Sequence, residues 1–71
     1  MAGEHLIVIY PPADDGGRRV RVHARFLGMA YGLLDVTEFL RLAGMDGVDE
    51  DWVRRSGLIE WRGGGPEAWR A

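Results

Sequence analysis

Residues 5–26 read HLIVIYPPADDGGRRVRVHARF, and this stretch decides the fold. Residues 5–10 are apolar on both alternating faces, which is typical of a strand buried in the middle of a sheet. Pro11 and Pro12 end this strand, because proline cannot donate to a sheet ladder. Residues 13–17 predict a turn, because Asp and Gly tolerate the backbone angles of turns. The order of these segments predicts an antiparallel hairpin with a central first strand.

The second strand of this hairpin is predicted over residues 19–26, where two kinds of side chain alternate. The apolar set consists of Val20, Val22, Ala24 and Phe26. The polar set consists of Arg19, Arg21, His23 and Arg25. This alternation predicts a half-buried strand with an inward apolar face and a wet, basic outer face.

The second half of the chain predicts two helices and a third strand. Residues 27–34 contain two glycines and suggest a bend, with a bulge or a brief return of the chain. A helix follows with Asp35 as its N-cap and Gly44 as its C′ residue, and an apolar stripe between them. Asp49 is expected to cap a shorter helix over residues 50–55. Residues 58–62 then predict a strand.

These elements describe one domain, residues 1–71, in which residues 63–71 form a flexible or folded-back tail. The predicted class is α+β, with element order β-β-α-α-β. A three-stranded sheet in spatial order 2-1-3 would carry both helices on one face. This order resembles the core of a β-grasp, or ubiquitin-like, domain. Strand three is left open as parallel to strand one, through a right-handed crossover, or as an antiparallel edge.

The composition limits how so small a domain is stabilised and where it works. The 71 residues include no cysteine and only two histidines, His5 and His23, which excludes a disulfide framework and argues against a zinc site. Good packing or oligomerisation therefore remains as the means of stabilising the domain. The longest apolar run, residues 6–10, is too short for a bilayer, and the N-terminus lacks a basic secretion signal. We therefore expect a cytoplasmic protein without a membrane partner.

The charges are unevenly placed although the formal net charge is only −2. All nine basic residues are arginine, and lysine, asparagine and glutamine are absent, which is typical of a high-GC bacterial genome. Residues 18–25 hold four arginines and no acid, whereas residues 35–51 hold six acids and one arginine. A dipolar surface of this kind favours oriented association with a partner.

No pattern in the chain predicts catalysis, a cofactor or a metal. A nucleophile–base pair is absent, and Ser56 stands in a helix-stop context. The acids of residues 46–51 lack the spacing of a calcium loop and suit helix capping. The glycines of residues 63–65 precede too little chain for a phosphate-binding helix. We expect a protein that is not an enzyme.

Two groups of residues are the candidate partner-binding sites. The first is the basic segment Arg18, Arg19, Arg21, His23 and Arg25. The second is the pair Trp61 and Trp69, of which Trp69 either folds back over the core, the favoured alternative, or is presented to a partner. The leading hypothesis is a small interaction or regulatory domain that docks a protein, or a second copy of itself. The alternative is a nucleic-acid-binding regulator that uses the same arginines.

Overall fold

The computed structural model describes residues 6–69 and has an α+β architecture with a mixed sheet and two helices. Its elements are β1 (Ile7–Ile9), β2 (Arg18–Val22), β3 (Arg25–Ala30), α1 (Leu33–Leu42), α2 (Glu50–Arg55) and β4 (Ile59–Trp61). The sheet has four strands in the order β3-β2-β1-β4. The predicted start of the first strand, His5, and the last two residues of the predicted tail lie outside the described residues.

Strand β1 lies inside the sheet, as its continuous apolar sequence predicts. It pairs antiparallel with β2, where Ile7 lies opposite Val22, and parallel with β4, where Ile7 lies opposite Ile59. The backbone N–H of Ile7 also bonds the carbonyl of Leu58 at 3.0 Å. The last strand is therefore parallel to the first, which was one of the two predicted alternatives, and the two helices form the crossover between them.

The prediction of three strands is wrong, because residues 19–26 are not one strand. The chain reverses at His23 and Ala24, and β3 returns antiparallel to β2 as the edge of the sheet. His23 has φ 53°, a left-handed conformation in which histidine is several-fold enriched among non-glycine residues. The register shifts in β3 at Leu27, which forms a bulge in the segment where a bulge or a return was expected.

The core lies between the helices and one face of the sheet, here called the inner face. Its members from the sheet are Ile7, Ile9, Val20, Ala30 and Ile59, and those from the helical half are Val36, Leu40, Val48 and Val53. All nine are at most 5% exposed. Because both helices pack on this side, the opposite face of the sheet is left without a covering layer.

The ends of the helices agree with the sequence in part. The carboxylate of Asp49 caps α2 by accepting the Trp52 N–H at 2.8 Å, and Gly44 follows α1 with φ 98°, so both predictions are confirmed. The predicted N-cap role of Asp35 is wrong. Helix α1 begins three residues earlier than predicted, at Leu33 after Gly32, and the Asp35 carboxylate instead accepts the Tyr31 N–H at 2.9 Å from within the first turn.

Candidate functional site

The face of the sheet turned away from the helices, here called the outer face, carries a layer of arginines and aromatic rings. The strand register defines its members: Arg21 lies opposite both Val8 and Phe26, and Arg19 lies opposite Met29. Because alternate residues of a strand share a face, Tyr10 after β1 and Glu60 and Arg62 at β4 also belong to the outer face. Every strand therefore contributes to the outer face.

Three arginines lie against the aromatic rings of this face. The Cζ atoms of Arg21 and Arg62 are 5.6 Å and 5.3 Å from the centroid of the Tyr10 ring. The Cζ of Arg19 is 5.9 Å from the centroid of Phe26. Each distance is within the range of a cation–π contact. These contacts hold planar guanidinium groups over the sheet instead of leaving them extended into water.

The three arginines differ in how their donors are used. Arg62 donates from Nε to the Glu60 carboxylate at 2.8 Å, and this hydrogen bond raises the pKa of Arg62. Arg21 Nε is buried and has no hydrogen-bond partner in the described part of the chain. Within residues 6–69, no ion pair reaches Arg19 or Arg21. Arg19 and Arg21 therefore keep donors that a bound anion would satisfy.

A groove of about 500 Å³ opens between these side chains and is here called the sheet groove. It is lined by Tyr10, Arg19, Arg21, Ala24, Phe26 and Met29. A smaller hollow of about 230 Å³ shares three of these residues and extends the surface towards Pro11 and Gly17. Among the described residues, no acidic side chain lines either cavity, so the two cavities combine positive charge with apolar and aromatic area.

Arg18 occupies a different place from its neighbours, because it points to the inner side of the sheet and is completely buried. All five N–H groups of its guanidinium donate to backbone carbonyls. Nε bonds Tyr10 at 2.8 Å, Nη1 bonds Gly65 at 2.9 Å and Ala68 at 2.6 Å, and Nη2 bonds Arg62 at 2.9 Å and Gly64 at 2.8 Å. Four of the five acceptors belong to residues 62–69, here called the C-terminal loop.

Two tryptophan rings complete the surroundings of Arg18. Its Cζ is 5.2 Å from the centroid of Trp61 and 5.4 Å from that of Trp69. The two rings meet edge to face with centroids 6.2 Å apart, and Trp69 Nε1 donates to the Pro66 carbonyl at 2.6 Å. Burial lowers the pKa of Arg18 below its ordinary value. Neutral dipoles and ring faces thus solvate this cation in place of a carboxylate.

The structure separates the predicted site residues into three places. Arg19 and Arg21 lie in the sheet groove, whereas Trp61 and Trp69 lie with Arg18 on the other side of the sheet. The prediction that Arg18 belongs to an exposed basic row is therefore wrong. Arg18 lies on the same face of β2 as Val20, which faces the core. Trp69 folds back over the core.

His23 is exposed in the turn between β2 and β3, and Arg25 is exposed at the first position of β3, opposite Val22. Neither lines the sheet groove. The assignment of Phe26 to the inward face is wrong, because its side chain is 56% exposed on the outer face. The turn at residues 23–24 explains the error, since a reversal there places Phe26 beside Arg21 rather than beside Val20.

Sequence reasoning missed Tyr10, Phe26, Met29 and Arg62 as members of the site. The pair His23–Ala24, which permits a tight turn, and Gly28, which follows the bulge at Leu27, were the signals that Phe26 faces outward. Met29 then returns to the outer face only because Leu27 is the extra residue of the bulge. Without the turn and the bulge, strand alternation cannot bring these side chains together.

The acidic segment of residues 46–51 serves the helix that it begins. Asp49 caps α2, and Asp51 lies 3.7 Å from Arg54 and 3.4 Å from Arg55. Among residues 6–69, no group of three or more His, Asp or Glu side chains is arranged to hold a metal ion. Over the same range, neither helix has the length and apolar character needed to cross a membrane.

The arrangement of the outer face can bind an anionic and partly apolar ligand. Arg18 with Trp61 and Trp69, here called the Arg18 cluster, holds the C-terminal loop on the core. Comparison of the chain with protein-family models, with curated proteins and with solved structures finds no match.

Proposed function

We propose that this chain is a non-enzymatic interaction domain that docks a protein partner in the sheet groove. The observation that carries the proposal is the open outer face, on which Arg19 and Arg21, without an ion pair among residues 6–69, lie among Tyr10, Phe26 and Met29. The proposal keeps the expected regulatory role in the cytoplasm of a high-GC bacterium. The resemblance to β-grasp domains remains one of element order and assigns no function of its own.

The residue types of the sheet groove support a protein partner. Aromatic residues, methionine and arginine are enriched at protein interfaces, whereas lysine, aspartate and glutamate are depleted. Among the described residues, the groove is lined by the first three types and by Ala24, and by none of the last three. Arginine and tyrosine are also among the residues that carry most of the binding energy at such interfaces.

The charge of the groove indicates the chemistry of the partner. A carboxylate that binds the guanidinium of Arg21 would pair a cation that has no ion pair among residues 6–69. Arg19 can bind the same group or a neighbouring one, and Phe26 and Met29 offer apolar contact beside it. We therefore infer an acidic segment in which carboxylates alternate with apolar side chains.

A single-stranded nucleic acid is the second candidate, and the exposure of Phe26 favours it. One exposed ring beside arginines can stack a base while the guanidinium groups contact phosphates. Tyr10 is less suited to this role, because Arg21 and Arg62 both lie against its ring. With one available ring and a net charge of −2, the protein partner is the better supported of the two.

The experiment is affinity capture with the full chain, an Arg19→Glu variant and an Arg55→Glu control. The two variants make the same change of charge, and Arg55 lies on α2 away from the groove, with its side chain 77% exposed. We expect one protein to bind the wild type and the control after nuclease treatment, and to be lost from Arg19→Glu. Equal capture by all three proteins would refute docking in the groove.

The same capture distinguishes the second candidate. Nucleic acid in the eluate, with an affinity that falls steeply as salt rises, would replace the protein partner by a nucleic acid. Both variants should keep the circular dichroism spectrum and the unfolding midpoint of the wild type, since both positions are exposed.

A further inference from the structure

A second surface, which shares Phe26 with the sheet groove, lies where the edge strand β3 meets helix α1. A cavity of about 270 Å³ opens there between Arg25, Phe26, Leu27, Phe39, Leu42 and Ala43. We call this surface the edge patch. Leu42 is 85% exposed and Phe26 is 56% exposed, so two large apolar side chains of one patch face water. Contiguous exposed apolar area on a small protein marks an interaction site.

The edge patch follows from the packing of α1 on the last strand of the sheet. Gly28 lets the helix approach closely, because a Cβ at this position would lie 3.0 Å from Cζ of Phe39. Asp35, Phe39 and Leu42 are spaced i, i+4 and i+7, which places them on one flank of α1. This flank lies beside β3, which is an edge strand of the described sheet.

The two ends of the edge patch carry opposite charges. Arg25, at the start of β3, lines the same cavity as Leu42 and Ala43 at the end of α1. Asp35 lies in the first turn of α1, about 10 Å from Leu42 at 1.5 Å per residue, and binds the N–H of Tyr31 just after β3 ends. The patch is therefore positive at one end, apolar in the middle and negative at the other end.

We propose that the edge patch binds a second copy of this chain about a two-fold axis. A two-fold rotation through the middle of the patch sets Leu42 and Phe26 against their own copies. It also brings Arg25 of each chain to Asp35 of the other, so both ends are neutralised by the same operation. The two α1 helices then run antiparallel, which opposes their dipoles favourably.

Two further features fit a symmetric dimer better than the addition of another strand. The bulge at Leu27 interrupts the regular edge of β3, which disfavours continuous strand pairing and leaves side-chain packing as the mode of contact. A chain of 71 residues without disulfides has a small core, and association with a second subunit is a common means of stabilising such domains.

The dimer can be tested apart from the proposed function, because Arg19 and Arg21 do not line the edge patch, although the two surfaces share Phe26. Sedimentation equilibrium of the full chain tests it. The wild type should have twice the 7.9 kDa mass of one chain, and Leu42→Glu should be monomeric with an unchanged circular dichroism spectrum. Leu34→Glu is the matched control, because Leu34 is a 55% exposed leucine of α1 that does not line the cavity of the edge patch. It should remain a dimer.

A wild type that stays monomeric at millimolar concentration overturns the inference, and so does a Leu42→Glu variant that remains dimeric. Loss of the dimer in Leu34→Glu as well would place the interface elsewhere. The Arg19→Glu variant should dimerise normally, so failure of the groove hypothesis and failure of the dimer are distinguished in separate measurements.

The predicted charge pairing has its own test in mixed variants. Arg25→Glu and Asp35→Arg should each dimerise weakly, since each places like charges at both ends of the interface. A mixture of the two restores one opposite-charge pair at each end, so the heterodimer should be about tenfold tighter than either variant homodimer. A heterodimer no tighter than the homodimers would overturn the proposed orientation.

Discussion

Arg18 Nη1 donates a hydrogen bond of 2.6 Å to the carbonyl of Ala68, fifty residues further along the chain. This bond and three others from the same guanidinium fix the C-terminal loop to the start of β2. The loop has no regular secondary structure, so its own backbone bonds cannot define its path. A single buried side chain supplies the donors that a strand or helix would otherwise provide.

Arg18→Lys should destabilise the protein although it preserves the charge. An ammonium group has three donors and no planar fork, so at least two of the five carbonyls lose their partner, and the contacts with both tryptophan rings weaken. Buried acceptors left without a donor cost about 1–3 kcal/mol each. We expect a loss of about 2–4 kcal/mol in the free energy of unfolding, measured by urea titration.

The control for this prediction is Arg19→Lys at the adjacent position. Arg19 is exposed and its side chain makes no hydrogen bond within the described residues, so the same exchange should cost less than about 0.5 kcal/mol. If both variants unfold at the same urea concentration as the wild type, the carbonyl cluster contributes nothing to stability.

Trp69→Ala should open the C-terminal loop and expose the Arg18 cluster to water. The substitution removes the edge-to-face contact with Trp61 and one of the two rings that cover the guanidinium. For a partly buried tryptophan we expect a loss of about 2 kcal/mol in the free energy of unfolding. Thermal unfolding monitored by far-ultraviolet circular dichroism measures this loss.

Glu67→Ala is the matched variant within the same loop. The Glu67 side chain is 76% exposed and lies 3.5 Å from Arg54, and a surface ion pair of this kind contributes at most about 1 kcal/mol. Equal melting temperatures for Trp69→Ala and Glu67→Ala would contradict the role given to the indole ring.

The sequence predicted the parts of the fold that depend on local patterns. The apolar run at residues 6–10 indicated a central strand, and Asp49 and Gly44 marked helix ends, because capping and burial leave direct signals in residue type. The extra strand was missed because a tight turn at His23–Ala24 leaves the alternation of residues 19–26 undisturbed. No glycine or proline marks that reversal.

The candidate site was predicted less well, for a physical reason. Arg19 and Arg21 were recognised by charge, but their aromatic neighbours come from other strands and depend on register and on the bulge at Leu27. The role of Arg18 depends on five carbonyls, which every residue possesses and which no sequence pattern distinguishes. Only tertiary structure brings such acceptors together.

The contact between Tyr31 and Asp15 should make stability depend on pH at both ends of the range. The Tyr31 hydroxyl donates to the Asp15 carboxylate at 2.9 Å, and the backbone N–H of Gly17 donates to the same carboxylate. The Gly17 bond and then the Tyr31 bond lower the pKa of Asp15 below 3.8, and the Asp15 bond raises the pKa of Tyr31 above 10.0.

A lowered carboxyl pKa gives stability that is present above pH 3.8 and is lost as the pH falls through the folded value. A raised phenol pKa gives stability that is present below pH 10.0 and is lost as the pH rises through the folded value. Asp15→Asn should therefore be less stable than the wild type between these limits, and the difference should shrink outside them. Urea titrations across the pH range measure it, and a pH-independent difference would contradict the pairing.

Gly63→Ala should destabilise the start of the C-terminal loop far more than Gly65→Ala. Gly63 has φ 77°, and a Cβ there would lie 2.6 Å from Cβ of Pro11 and 3.0 Å from its Cα, so both the backbone angle and the contact oppose a side chain. We expect a cost of about 2 kcal/mol or more in thermal or urea unfolding. At Gly65 nothing lies within 4 Å of the added Cβ, and the carbonyl that accepts from Arg18 is retained. Gly65→Ala should therefore change stability by less than about 0.5 kcal/mol, and equal losses at the two positions would show that the approach of Gly63 to Pro11 does not position the loop.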